Sequence, residues 1–449
     1  MLPLLACLAI LGHRSSSPTL LQDTDTAVLL RALDARHDPL SWFRTDWPLE
    51  NRFYRPVSTL GFEMDRVVYR DAAYGYGLTN VLLACACTFL LFWLLRESTR
   101  SPWLAGTSSV VFGLWTCDSA ALTVATPAMW WLAAVALLGI LRGGMAKIGV
   151  CVGAAATLVF LSSLLAPVAA FDHRVLTWLP GRTASTMTVF ALAAMAAHAR
   201  YERLTARSQP RSPTPMDVPS TKGTETVTEA QRKSAWVWIT LAGLSSALAL
   251  LSYEQAVMLP AALAGLSVMT LLGGKSPSWR PHALYWGLLV GYLAVRWSVI
   301  PPGVSGYQQQ QFRDGPGVLL VLMDYAFPAW NWLATCGVAL SVGIEVLLTD
   351  VPWRYLSLSA ANVGAWATVR RHTLWPIAIG SMVLALITFL PMAWLQPFGH
   401  YHYWPSAFRA VFVCSLAAVA AKALVSAVSL PSVQAPARPR PAPGSLPRP

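Results

Sequence analysis

The sequence predicts an all-α polytopic membrane protein, and three observations carry that reading. Of its 449 residues 55% are hydrophobic and only 12% charged, a balance that soluble domains do not approach. Apolar runs recur along the chain at lengths near the ~20 residues a helix needs to cross hydrocarbon. The basic residues gather on alternate connections between those runs, as cytoplasmic loops require. The net charge of +12 therefore reads as topology; it follows no single amphipathic face, so nucleic acid is not an expected partner and the lipid bilayer is.

The elements follow in order. Residues 1–12, MLPLLACLAILG, are apolar but short, and lack the basic start and the A-x-A site of a signal peptide, so a short first span is expected. Residues 13–73 form a long polar loop with two amphipathic pieces, Thr26 to Leu33 and Val57 to Tyr69, suited to helices lying in the membrane interface. Trp42, Phe43, Trp47, Phe53 and Tyr54 suit the same depth. Apolar segments follow at 75–95, 103–117, 121–141, 147–166 and 183–199. Residues 200–234, rich in Ser, Thr, Pro and charge, read as a disordered cytoplasmic loop. Further apolar segments cover 235–252, 256–272 and 283–300, then a stretch to 348 that holds a span and a re-entrant piece, then 374–395 and 404–425. The total is about 11–13 transmembrane helices in one domain over 1–430, and residues 431–449 form a disordered Pro/Arg-rich tail. All seven cysteines lie in apolar segments with no paired spacing, and read as small buried hydrophobes.

Arg96, Arg100, Arg142, Lys147, the basic residues of 200–234, Lys275, Arg280, Arg370 and Arg371 fall on one side, the cytoplasm. The polar constellations collect on the other. Asp23 and Asp25 offer a carboxylate as general base for an acceptor hydroxyl; the plainer reading is a helix cap before Ala27-Val-Leu-Leu. Arg52 and Arg55 suit bidentate binding of a lipid phosphate at headgroup depth, or simply snorkel against anionic lipid. Arg182 in WLPGR stands at the mouth of a span, as a phosphate ligand or an interfacial anchor. Glu254 sits in a tight connection between two spans, where a charge is costly unless it is paired or faces a cavity. His400-Tyr-His-Tyr-Trp reads as aromatic packing around Tyr401. No carboxylate or Cys stands at ligand spacing beside His400 and His402, so no cofactor is required and a divalent metal is left open.

These pieces resemble a family. An acidic pair, then FYRPVSTLGFEMD running into YGLTNVLL, WLPGRTAS opening a span, LLSYEQAVMLP, and YHYWPS opening the last span occur in that order between about residues 23 and 425. This resembles the membrane domain of GT-C-type glycosyltransferases, closest to bacterial relatives of the tetratricopeptide-containing protein O-mannosyltransferases. The resemblance implies a GT-C-like fold whose first extracytoplasmic loop carries the catalytic carboxylates. It also implies a sugar donor carried on polyprenyl phosphate, an acceptor protein or cell-surface glycan outside the cytoplasm, and a bacterial inner membrane. It matches the acidic pair to Asp23 and Asp25, the YRP arginine to Arg55, the GR arginine to Arg182 and the SKE carboxylate to Glu254. Arg52 and Tyr401 join as further substrate-binding residues. The chain departs from the family where Thr24 splits the acidic pair, where Tyr253 replaces a lysine, and where a Pro/Arg tail stands in place of the tetratricopeptide array. Two other readings stay open: a transporter or flippase of lipid-linked sugar, for which Asp118 and Asp324 are the intramembrane charges to examine, and a catalytically inactive membrane scaffold.

Overall fold

The structure is a computed structural model. It describes residues 1–12, 18–36, 38–99, 101–117, 174–208, 224–273, 276–300, 302–313, 317–326, 374–396 and 398–429. The expected spans at 121–141 and 147–166, most of the stretch to 348, Asp118, the side chain of Asp324 and the tail lie outside the described residues.

Among the described residues the chain is all-helical, with one isolated antiparallel bridge between Phe312 and Leu395. The helices used below are α1 Leu2–Gly12, α2 Thr24–Ala35, α3 Pro56–Tyr69, α4 Ala73–Ser98, α5 Pro102–Cys117, α6 Arg182–Ser208, α7 Thr224–Leu250, α8 Leu259–Leu272, α9 Arg280–Val299, α10 Gly306–Gln311, α11 Val318–Ala326, α12 Trp375–Phe389 and α13 Tyr403–Ser429. Among the described residues three stretches are long and apolar enough to cross a membrane: Ala73–Ser98, Glu254–Leu272 and Trp375–Met392. Two shorter apolar helices, Leu2–Gly12 and Ser234–Leu250, accompany them. The described part of the chain is thus helical and carries helices long and apolar enough to span a membrane.

Small residues set how these helices meet. Ala184, Ala191, Ala194, Ala196 and Ala197 of α6 are fully buried, and α6 packs along both α4 and α7. Without a hydrophobic drive between helices in lipid, such small side chains let backbones approach for dispersion contact. Buried hydroxyls turn back onto their own helices, as Thr88 Oγ1 does to Ala84 O (3.0 Å) and Thr188 Oγ1 to Ala184 O (2.7 Å). Proline opens α3, and stands in the first turn of α8, α9 and α12, where its missing N–H costs nothing. Large apolar side chains point outward from several of these helices, among them Leu8, Leu272, Val290, Trp297 and Ile379.

Residues 200–208 continue α6 and residues 224–233 begin α7, which corrects the two ends of the expected disordered loop over 200–234; residues 209–223 lie outside the described residues. Polar composition was a poor guide here. Arg203 Nε lies 2.9 Å and Arg200 Nη1 3.3 Å from Glu97 at the end of α4, and Glu202 is buried. Of the charges that looked solvated, Arg200 and Arg203 are paired with Glu97 of a neighbouring helix.

Both amphipathic pieces of the first loop form helices close to the expected bounds. The α3 helix buries Ser58, Thr59, Phe62 and Asp65 and leaves Met64, Val67 and Val68 exposed. Arg66 Nε of α3 donates to Asp34 Oδ1 of α2 (2.7 Å) and Arg66 Nη1 to Asp71 Oδ1 (2.6 Å), tying the loop to itself.

Candidate functional site

The first loop folds down onto the helix ends. Tyr54 N donates to Glu254 Oε1 (3.2 Å), Val57 N to Leu251 O (3.1 Å) and Ser58 Oγ to Ser252 O (2.9 Å). The turn at Glu254 is held in turn by Gln255, whose Nε2 donates to Thr388 O (2.8 Å) and Tyr401 O (3.0 Å). Three segments far apart in sequence are so brought to one place: the start of α3, the α7–α8 connection and the turn before α13.

Between them lies a cavity of about 380 Å³ lined by Asp25, Glu50, Arg55, Tyr401 and the aromatic groups of Trp47, Phe53, Trp178, Tyr253, Tyr307, Phe398 and His400. Carboxylates at the mouth, one guanidinium and a wall of rings make it suited to an anionic ligand that also carries ring-stacking or C–H surface. Glu50 and Arg52 adopt positive φ (53° and 63°) in the turn that forms one edge. Asp46 holds that turn by accepting from Trp47 N (2.6 Å) and Arg52 N (2.8 Å). Non-glycine residues at positive φ persist only where surroundings over-determine them.

Arg55 is the cavity's cation. Its Nε (2.8 Å) and Nη2 (2.7 Å) both donate to Glu254 Oε2. The guanidinium lies over Phe53 (4.1 Å), Tyr253 (4.5 Å) and Trp47 (5.3 Å). Burial is the largest single influence and works against its charge, but Glu254, with Tyr253 and Tyr401, together hold the group above its ordinary value. The bonds to Glu254 use one edge of the fork and leave Nη1 for a ligand.

The acidic pair divides into two roles. Asp23 is the N-cap of α2: its Oδ2 accepts from Thr26 N (3.2 Å) and from Trp178 Nε1 (3.0 Å). Asp25, two residues on, points to the cavity and stays open to solvent at its rim. Partial burial and then the neighbouring charge of Asp23 raise its pKa above the usual carboxylate value. An accessible, raised carboxylate is what a general base requires.

A scan of protein-family models finds none that matches the chain, and neither the curated proteins nor the solved structures contain a match. The site is accordingly read from its own geometry.

That geometry separates the expected residues. Asp25, Arg55 and Tyr401 line the cavity; Asp23, Arg52, Arg182 and Glu254 do not. Glu254 stands behind Arg55 as its counter-ion. Arg52 lies outside the lining, and its carbonyl accepts from Arg296 Nη2 (3.3 Å). The expectation that Arg182 faces a lipid phosphate is corrected most clearly. Its guanidinium is 2% exposed and donates from Nε to Asn80 Oδ1 (2.6 Å), from Nη1 to Asp65 Oδ2 (2.5 Å) and from Nη2 to Tyr76 O (2.9 Å). A buried cation with every edge occupied is a strut joining α6 to α3 and α4, not a free phosphate ligand.

Residues that sequence reasoning passed over complete the wall. His400 was read as part of the aromatic packing around Tyr401, with a metal left open, and not as a residue of the site. It is buried between Trp178 (ring centroids 5.2 Å) and Tyr401 (4.4 Å), and its Nδ1 has no hydrogen-bond partner. Burial, with Arg55, Arg174 and His402 nearby, lowers its pKa to about 3, so it is neutral. Among the described residues no group of three His, Cys, Asp or Glu side chains is placed to hold a metal ion. Of these residues Trp178 had a sequence signal, the WLPGR turn; Tyr253 had one in its contact with Glu254; Tyr307 had none.

Proposed function

We propose that the chain is a membrane glycosyltransferase that moves a sugar from a polyprenyl-phosphate donor to an acceptor hydroxyl on a protein or cell-surface glycan outside the cytoplasm. One observation carries the reading: a carboxylate with a raised pKa, Asp25, and an arginine with one free edge, Arg55, share the wall of a single aromatic-lined cavity. In this reading Asp25 takes the proton of the acceptor hydroxyl. The acceptor oxygen then bonds to the anomeric carbon as the bond from that carbon to the phosphate oxygen breaks. Arg55 Nη1 stabilises the charge that the departing polyprenyl phosphate gains, and Glu254 keeps the fork aimed. Asp23 fixes the start of α2 and, through Trp178, the opposite wall.

The aromatic groups suit the faces of a pyranose, and His400, being neutral, offers a hydrogen bond without repelling Arg55. The exposed apolar edge of α3, Met64, Val67 and Val68, fits a helix resting at headgroup depth, where the phosphate of the donor also lies. The whole chain is then a GT-C-like polytopic domain with about 11–13 spans in a bacterial inner membrane, its cavity on the outer face.

The test is incubation of the purified full chain with a radiolabelled polyprenyl-phosphate sugar. Release of the lipid phosphate with transfer of label to an acceptor supports the reading. Movement of intact donor across a vesicle bilayer with no cleavage would replace it with a flippase.

A further inference from the structure

A cavity somewhat larger than the one below the first loop lies elsewhere in the bundle. At the other end of α4, whose 26 residues span about 39 Å, lies a second cavity of about 420 Å³. Its deep end is apolar and reaches Leu384, Phe408 and Val411, while Glu97, Glu202 and Arg203 line its mouth. Polar mouth and apolar depth together describe the space of an amphiphile.

The mouth specifies the headgroup. Glu97 is already engaged: it accepts from Trp93 Nε1 (3.3 Å) and pairs with Arg200 and Arg203. Glu202 is held differently. Its two oxygens accept from the hydroxyls of Ser267 (2.5 Å) and Thr270 (2.9 Å). Its nearest basic group is His198 Nε2, at 3.4 Å. Two hydroxyl bonds aim the carboxylate but leave half of its lone-pair positions open. The Ser267 hydroxyl has one proton, which it gives to Glu202, so it accepts from both His198 Nε2 and His282 Nε2 at 3.0 Å. Both imidazoles therefore present a proton at Nε2, and His198 Nδ1 lies 3.0 Å from Tyr285 OH. Arg203 uses Nε on Glu97 and keeps its two terminal amines for a further acceptor.

We propose that this second cavity is a binding site for an aminophospholipid, whose primary ammonium meets Glu202, whose phosphodiester meets Arg203, and whose acyl chain fills the apolar depth. A quaternary ammonium cannot donate the hydrogen bond that Glu202 accepts, and a glycerol headgroup brings no cation, so the site discriminates among lipids sharing one phosphodiester. The reading does not depend on the chemistry at the first cavity.

Native mass spectrometry of the full purified chain, titrated separately with palmitoyl-oleoyl phosphatidylethanolamine, phosphatidylcholine and phosphatidylglycerol, tests it. The ethanolamine lipid binds about tenfold more tightly than either other lipid, the worth of one charge-assisted hydrogen bond. Glu202→Gln abolishes that preference and leaves the three lipids equal. Arg203→Gln sits at the rim, where folding is least at risk, and weakens all three alike while keeping their order. Equal binding of the three lipids to the unaltered chain, or an ethanolamine preference that survives Glu202→Gln, overturns the proposal. So does Arg203→Gln with no loss for any lipid.

Discussion

Arg55 and Glu254, 199 positions apart, meet through two donors on one carboxylate oxygen, Nε at 2.8 Å and Nη2 at 2.7 Å. The pair fastens the first loop to the α7–α8 connection and sets which edge of the guanidinium faces the cavity. Arg55→Ala is expected to weaken donor binding about 10- to 100-fold, the worth of one to two hydrogen bonds to a charged group. Arg55→Lys does not restore it, because one ammonium cannot hold Glu254 and a phosphate in the same geometry. Donor affinity in detergent and thermal melts measure both effects. The double variant Arg55→Ala with Glu254→Gln melts higher than the sum of the single losses predicts, since it leaves no unpaired charge. An unchanged donor affinity in Arg55→Ala returns this residue to a purely structural part.

Arg182 and Asp65 form the more deeply buried pair, and their role is separable from binding. Removing one partner of such a pair strands the other charge, at a cost of about 3–5 kcal/mol. Asp65→Asn is expected to lower the melting temperature sharply. Arg182→Lys also destabilises, because a single ammonium cannot reach Asp65, Asn80 and Tyr76 O at once. In the fraction that stays folded, donor affinity is unchanged. A tenfold loss of affinity with an unaltered melt would show instead that Arg182 touches the donor.

The contrast between these two arginines shows what the sequence carried. The apolar runs of α4, α8 and α12 announce helices through composition alone, and Asp23 before an apolar run announces a cap. Glu254 was legible as a charge needing a partner, because its position between two spans makes solitude expensive. The partner was not, since nothing local links it to Arg55. Arg182 was misassigned for the same reason: Asp65 lies 117 positions away, and a motif at the mouth of a span looks alike whether its arginine faces a ligand or a buried carboxylate. Arg200, Arg203 and Glu97 repeat the lesson at the far end of the bundle, where charge density resembled a solvated loop.

His400 gives a stability prediction with a defined window. Its folded pKa, lowered to about 3 by burial and by Arg55, Arg174 and His402, lies below the ordinary value of 6.5. The unfolded chain therefore binds more protons between those values, and stability falls as pH drops from about 6.5 towards 3. The slope reaches about 1.4 kcal/mol per pH unit for one histidine. His402, lowered to about 3 by burial and by Arg409 and Arg313, acts in the same direction. Melts recorded from pH 7 to pH 5 show the decline, and the double variant His400→Phe with His402→Phe flattens it. A parallel decline in that variant would assign the acid sensitivity elsewhere.

Asp23 and Asp25 are distinguished by a pH profile more sharply than by loss of activity. As the proposed base, Asp25 would act only when ionised, so transfer is expected to rise with pH through its pKa, which burial and the charge of Asp23 hold above the usual carboxylate value. Asp25→Asn is expected to reduce kcat at least about 100-fold, the usual contribution of a general base, with little effect on donor affinity. It also leaves the melting temperature unchanged or raised, because it removes a charge that its surroundings disfavour. Asp23→Asn keeps the cap, since asparagine caps as well as aspartate, and retains most of the activity. Its effect is electrostatic: without the negative charge of Asp23, Asp25 ionises more readily, and the acid limb of the profile moves to lower pH. A profile moved to higher pH, or Asp23→Asn as damaging as Asp25→Asn, would transfer the role of base to Asp23.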